Sequence, residues 1–165
     1  CSMQTKNATG KNNMSEEKKS KNVGRRENRV AAMQFIYMRE INGDAPIADA
    51  LESVFSSKEN GRQFYSFAEE LIAGVAAHRA EIDKVISESA TNWSTDRIAK
   101  VDLAILRLAV FELLFRDDIP PVVSINEAVD LAKEYSSAEA RRFVNGVLDR
   151  VRGTLKRPSR TANKK

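Results

Sequence analysis

The sequence has one cysteine, one histidine, one tryptophan and four prolines in 165 residues. A lone Cys1 excludes an internal disulfide, which suits a reducing compartment, and the chain is expected to be cytoplasmic. With His78 the only imidazole, Cys–His zinc sites and Ser-His-Asp or Cys-His nucleophile systems lack the residues they need. No Gly-rich phosphate loop is present. Acidic pairs such as Glu69-Glu70 and Asp117-Asp118 stand without a neighbouring His or ligand set and read as solvated charge. No enzyme activity, metal or cofactor is therefore expected. The apolar runs are too short to span a bilayer and none lies near the N-terminus, so neither a membrane segment nor a signal peptide is expected. Cys1-Ser2 reads as a leading remnant rather than a lipidated start, because Met3 and Met14 both offer initiation.

Acidic residues are missing from the last sixteen positions. Residues 150–165 hold seven Lys and Arg and no acid, a net +7, and residues 1–29 hold eight against three Glu, a net +5. The whole chain carries only +4, so the stretch between them carries −8. Basic ends on an acidic body point to a polyanion for the ends and a cationic partner for the body, although basic termini also serve solubility.

Strand signals are missing too. Residues 1–24 and 156–165 are polar and basic, with too little apolar surface to offset the entropy of ordering, and are expected to be disordered tails. Between them the periodicity is helical throughout, giving an all-α domain over 25–155 with about seven helices. Val30, Met33, Tyr37 and Ile41 mark the first, closed by Asn42-Gly43. Asp44 is placed to cap a second carrying Ile47, Leu51, Val54 and Phe55. Phe64, Phe67, Ala68, Leu71, Ile72 and Val75 mark a third, and Ile82, Val85 and Ile86 a fourth. Trp93 reads as a packing anchor between helices. A helix over 95–116 is apolar all round, so neighbours must cover it on several sides. Pro120-Pro121 is read as a break. Ser124 to Glu127 and Ser136 to Glu139 are read as capping boxes opening the last two helices. Ala140, Val144, Val147, Val151 and Leu155 form the inner stripe of the last.

Three groups are candidates for function. Arg25, Arg26 and Arg29 open the first helix, where cations oppose the helix dipole at a cost of about 0.3–1 kcal/mol each. Phosphate contact explains such a placement; neutralisation by Glu27 and other nearby acids is the alternative. Phe143 lies at the edge of the last helix's apolar stripe, with Gly146 and Arg150 one and two turns on. It could stack an unpaired base or simply pack against Val147. Asn126 and Asn145 read as structural hydrogen bonders, and His78 as a cation at a helix C-terminus or an exposed side chain.

Several blocks resemble the bacterial NusB family. They are Ala104 to Ala109 with Glu112-Leu113 and Asp118-Ile119-Pro120, then Ser124 to Lys133, and most recognisably Phe143-Val144-Asn145-Gly146-Val147-Leu148-Asp149. Arg25-Arg26 with Arg29 and Ala32 to Tyr37 resemble the family's opening helix. The similarity covers roughly residues 25–152. It implies a fold of two helical subdomains, about 25–79 and 80–155. It also implies binding of single-stranded boxA RNA from ribosomal RNA leaders together with the small-subunit ribosomal protein NusE. That pair acts on RNA polymerase with other Nus factors in antitermination and rRNA maturation. The resemblance carries RNA contact to Arg25, Arg26, Arg29, Phe143 and Tyr37, with Arg150 beside them, and NusE contact to Asp102 with Val101. Glu27 and Asn28 interrupt the family's denser Arg/Ala run, and Ser136 to Ala140 replaces its usual glycine- and Asp-containing turn. The alternatives are a helical protein–protein adaptor without sequence-specific RNA binding, and the helical domain of an rRNA cytosine methyltransferase. The latter calls for a Rossmann domain that these residues do not contain. Monomer and homodimer fit the sequence equally.

Overall fold

A computed structural model describes residues 9–43, 45–91 and 94–158, and only the backbone path at 9–13, 20 and 22. The expectations placed on Cys1, Asp44 and Trp93 fall outside the described residues. Within them the chain is all helix and turn: α1 (Thr9–Asn42), α2 (Ile47–Ser56), α3 (Gly61–Phe64), α4 (Ser66–Ala77), α5 (Arg79–Ser89), α6 (Lys100–Phe115), α7 (Pro121–Tyr135) and α8 (Ala138–Thr154). A single 3-10 turn, Thr95–Arg97, precedes α6.

The all-round apolar helix is central, as its composition requires. α6 buries twelve residues, with α1, α4, α5, α7 and α8 packed around it. The two expected subdomains share one buried cluster running from Ala31 to Val151. Three of the residues buried on α6 are charged: Asp102, Arg107 and Glu112. Arg107 bridges Asp83 of α5 (2.9 and 3.1 Å) and Glu40 of α1 (2.9 Å), and Glu112 holds Arg29. A charge inside a close-packed core must be paired, and these two pairs fix the register of α1 and α5 on α6.

Asn28 does similar work with neutral groups. Its Nδ2 donates to Gly24 O (2.7 Å) and Phe64 O (3.1 Å), while its Oδ1 accepts from Ala68 N (2.9 Å). α4 lacks a capping side chain at its own N-terminus. Asn28 supplies one from a neighbouring helix, satisfying a donor that the first turn cannot use internally.

Several element boundaries differ from expectation. α1 begins at Thr9, so the expected disordered tail is helical from residue 9 onward. Lys, Glu and Ser extend an existing helix at small cost because nucleation has already occurred in the packed part. The break at Pro120-Pro121 is instead a start: Pro121 occupies the first helical position of α7, where its missing N–H costs nothing. Ser124 is therefore no cap. It is buried and donates to Glu112 Oε1 at 3.2 Å. α8 is capped by Ser137, not Ser136, through Ala140 N at 3.0 Å. α6 starts at Lys100 rather than 95, after an extended Ile98 and Ala99. Ile41, Val54 and Phe64, expected inward, are exposed.

The expected C-terminal tail is also partly ordered. Arg157 turns back and donates to Ile119 O (2.7 Å), Leu113 O (3.0 Å) and Glu112 O (3.3 Å). Its side chain is 9% exposed and caps the carbonyl end of α6.

Candidate nucleic-acid interface

The three arginines of α1 have three different fates. Arg29 is 3% exposed; its Nε and Nη2 donate to both carboxylate oxygens of Glu112 at 2.7–3.2 Å. The expectation that Arg29 grips phosphate is corrected. α1 is already packed against α4 and α6 at residue 29, and a guanidinium sealed there serves the core. Arg26 is half-exposed and reaches into the acidic side of α7, with Asp130 at 3.5 Å, Glu134 at 3.4 Å and Glu127 at 3.9 Å. The neutralising acids come from α7 rather than from Glu27. Pairs this exposed are weak, about 0–1 kcal/mol, so a phosphate can compete for Arg26. Arg25 is half-buried with its guanidinium 4.6 Å from the Phe67 ring centroid.

Phe67 is a hub for cations. Arg29 and Arg116 also lie over its ring, at 5.3 and 5.4 Å. Arg116 is held by Asp118 (2.9 Å) and Glu70 (2.8 Å), and its guanidinium keeps the Asp118 carboxyl below the ordinary carboxylate range. The Phe67 ring holds the Arg25 guanidinium by a cation–π contact, and Arg25 also adds to the field that lowers the Asp118 carboxyl.

Phe143 lies some distance along the chain, on α8, half-buried against the core. Its ring forms a wall common to two cavities. One, of about 230 Å³, is lined by Arg142, Gly146, Val147, Arg150, Ala90 and Thr91. Arg150 is braced there, donating to Ser89 O (2.7 Å) and Thr91 Oγ1 (3.2 Å). Gly146 is exposed, and a Cβ there would meet nothing within 4 Å, so the helix surface beside Phe143 is open. The other cavity, of about 330 Å³, is lined by Asp102, Glu139, Arg97, Ser137, Ile98 and Ala140.

Asp102 is the third buried charge of α6 and differs from the other two. It is 7% exposed, and its Oδ1 has no hydrogen-bond partner among the described residues. It sits in the first turn of α6, where the helix dipole favours an anion. The dipole alone leaves this buried acceptor without a donor among the described residues. Val101 is half-buried beside it.

The structure thus brings Phe143 together with Arg150 on one side and Asp102 on the other. Arg25 and Arg26 share no cavity with Phe143 among the pockets described. Tyr37 is half-buried against the core, twelve residues further along α1 from Arg25, about 18 Å on. Asn126 and Asn145 are exposed, and His78 stacks on Phe115 with centroids 4.0 Å apart. Sequence reasoning missed Phe67 as the seat of Arg25, because a Phe at helical core spacing gives no sign of the three cations that α1 and the end of α6 bring to it.

The model of the NusB family matches residues 26–152. The chain is 45% identical over 138 residues to the transcription antitermination protein NusB of Myxococcus xanthus, covering 81% of this chain and 98% of that one. It is 46% identical over 133 residues to the NusB of Geobacter sulfurreducens, covering 79% and 95%. Among solved structures, T. maritima NusB superposes with a TM-score of 0.72 at 35% identity, covering 79% of this chain and 91% of that one. A crystal structure of the antitermination factors NusB and NusE in complex with double-stranded RNA superposes with a TM-score of 0.67 at 29% identity, covering 80% and 98%.

Proposed function

The chain belongs to the NusB family, and on that premise we propose that it is a non-catalytic cytoplasmic factor binding boxA-type RNA of ribosomal RNA leaders jointly with ribosomal protein NusE. The complex supports antitermination by RNA polymerase, with other Nus factors, and rRNA maturation. One observation supports this division of labour: Phe143 separates a cationic cavity from an acidic one. RNA takes the cationic side, an unpaired base stacking on Phe143 above Gly146 while Arg150 meets its phosphate. NusE takes the acidic side, where a Lys or Arg of the basic protein supplies the donor that Asp102 lacks, with Val101 at the rim. Arg25 and Arg26 hold further phosphates along α1, and Tyr37 lies on the same helix toward the far end. A relative of this fold has been crystallised with both NusE and RNA, which supports a joint surface in this chain.

The test is a mobility-shift titration of the full chain with boxA-type RNA and with a scrambled RNA of equal length, each with and without NusE. Preference for the boxA-type RNA, strengthened by NusE, is the expected result. Equal binding of both RNAs, or none, with NusE still bound, would make the chain a protein adaptor instead. Phe143→Ala weakens binding of the boxA-type RNA by about 1–3 kcal/mol if the ring stacks a base.

A further inference from the structure

α1 continues beyond the body. Residues 9–24 of the helix add about 24 Å ahead of Arg25, and every side chain described between Met14 and Val23 is exposed. At 3.6 residues per turn, Lys18, Lys19, Lys21, Arg25 and Arg26 fall within an arc of about 160°, and Glu16, Glu17 and Glu27 fall in the arc opposite. The helical register thus sorts a segment of mixed charge into a cationic stripe and an anionic back. Lys18, Lys19 and Lys21 enter no ion pair among the described residues. The family model begins at residue 26, so the arm lies ahead of the residues that it matches.

We propose that the arm is a second RNA-binding surface, whose stripe of Lys18, Lys19 and Lys21 holds the phosphates of the strand flanking the boxA-type element. This rests on the RNA-binding reading above and extends it to a segment outside the family's core. Two features select RNA over other polyanionic surfaces. The stripe is continuous with Arg25 and Arg26, so one strand can pass from one to the other without a break. The arm also has no apolar face: its large apolar residues, Met14 and Val23, lie on opposite sides of the helix, and a helix that rests on lipid needs an apolar stripe.

The experiment measures affinity against salt for the full chain and two variants, Val23→Pro and the triple Lys18→Gln/Lys19→Gln/Lys21→Gln. Each is titrated with a minimal boxA-type RNA and with the same RNA carrying about ten flanking nucleotides at either end. On the extended RNA the triple variant should lower the slope of log K against log salt by about 2, three phosphates at about 0.7 each. Its disadvantage should therefore shrink about tenfold between about 50 and about 150 mM salt. On the minimal RNA it should match the parent chain. Val23→Pro keeps every cation but interrupts the helix between arm and body, and should lose the same advantage. Equal slopes for parent and triple variant on the extended RNA would overturn the proposal. So would equal losses on both RNAs, a Val23→Pro variant that binds like the parent, or a triple variant whose only change is in oligomeric state. Failure of all three proteins to bind either RNA would instead overturn the RNA-binding reading itself, and the arm with it.

Discussion

Arg29 and Glu112 form a two-pronged ion pair inside the core, joining α1 to the central helix at 2.7–3.2 Å, with Ser124 of α7 donating to the same carboxylate. One turn earlier on the same helix, Arg25 is half-buried against Phe67. Two arginines four residues apart thus have different surroundings, one sealed in the core against Glu112 and one against an aromatic ring nearer the surface.

Their substitutions should separate accordingly. Arg29→Ala leaves Glu112 buried and unpaired and should cost about 3–5 kcal/mol in stability. Arg29→Lys should not rescue it, since an ammonium cannot make the parallel pair. Arg25→Ala should leave the urea midpoint nearly unchanged and weaken RNA binding in a salt-dependent way. Paired denaturation and RNA titrations check both; an Arg29→Ala protein that folds normally and only loses RNA would contradict the division.

Two glycines inside helices should respond in opposite directions. A Cβ on Gly74 would lie 2.0 Å from Cζ of Phe111, so Gly74→Ala forces α4 off α6 and should destabilise by about 1–3 kcal/mol. Gly146 faces open space, and Gly146→Ala should stabilise α8 by about 0.5–1 kcal/mol. Gly146→Leu should fill the space beside Phe143 and reduce RNA affinity without unfolding the chain. Thermal melts alongside RNA titration read both effects.

Asp102 should behave as a binding group that the isolated protein does not need. Asp102→Asn removes a buried charge whose Oδ1 has no partner among the described residues, so the melting temperature should hold or rise. Binding of NusE should weaken by about 2–5 kcal/mol if a cation reaches that oxygen. Calorimetric titration with NusE decides it; unchanged affinity would remove Asp102 from the partner surface.

Acid should loosen the α1–α5–α6 junction. The hydrogen bond from Arg107 holds the Glu40 carboxyl below its ordinary 4.5. A carboxylate lowered on folding stabilises above its unfolded value, and that contribution fades as pH falls below about 4.5 and through the folded value. Glu40→Gln should therefore lower the urea midpoint at neutral pH and flatten its decline between about pH 5 and about pH 3. A decline as steep as the parent's would show that Glu40 is not among the groups responsible.

The helical class, the central helix and the Phe143–Gly146–Arg150 constellation were legible because each depends on local periodicity. Arg29 was misread because its place at a helix start suggested exposure, while its burial depends on α4 and α6, which pack there from elsewhere in the chain. The misreading had a remedy in the sequence. α6 is apolar all round, so Glu112 and Arg107 cannot reach water and must find partners. Arg29 is one of few cations on a neighbouring core stripe. Pro121 was misread for another reason: the same residue ends a helix from inside and begins one from its first position, and only the neighbours decide which. Asn28 shows no local sign, since it caps a helix forty residues away.

The docking of Arg157 changes where this protein can be cut. The match to the family model ends at Arg152, and a chain shortened there would keep every residue that the model covers. It would lose the guanidinium that donates to carbonyls in the last turn of α6, the central helix. A boundary drawn by resemblance would remove a clasp that belongs to this chain, and a fusion or tag is better joined after Pro158 than before Leu155.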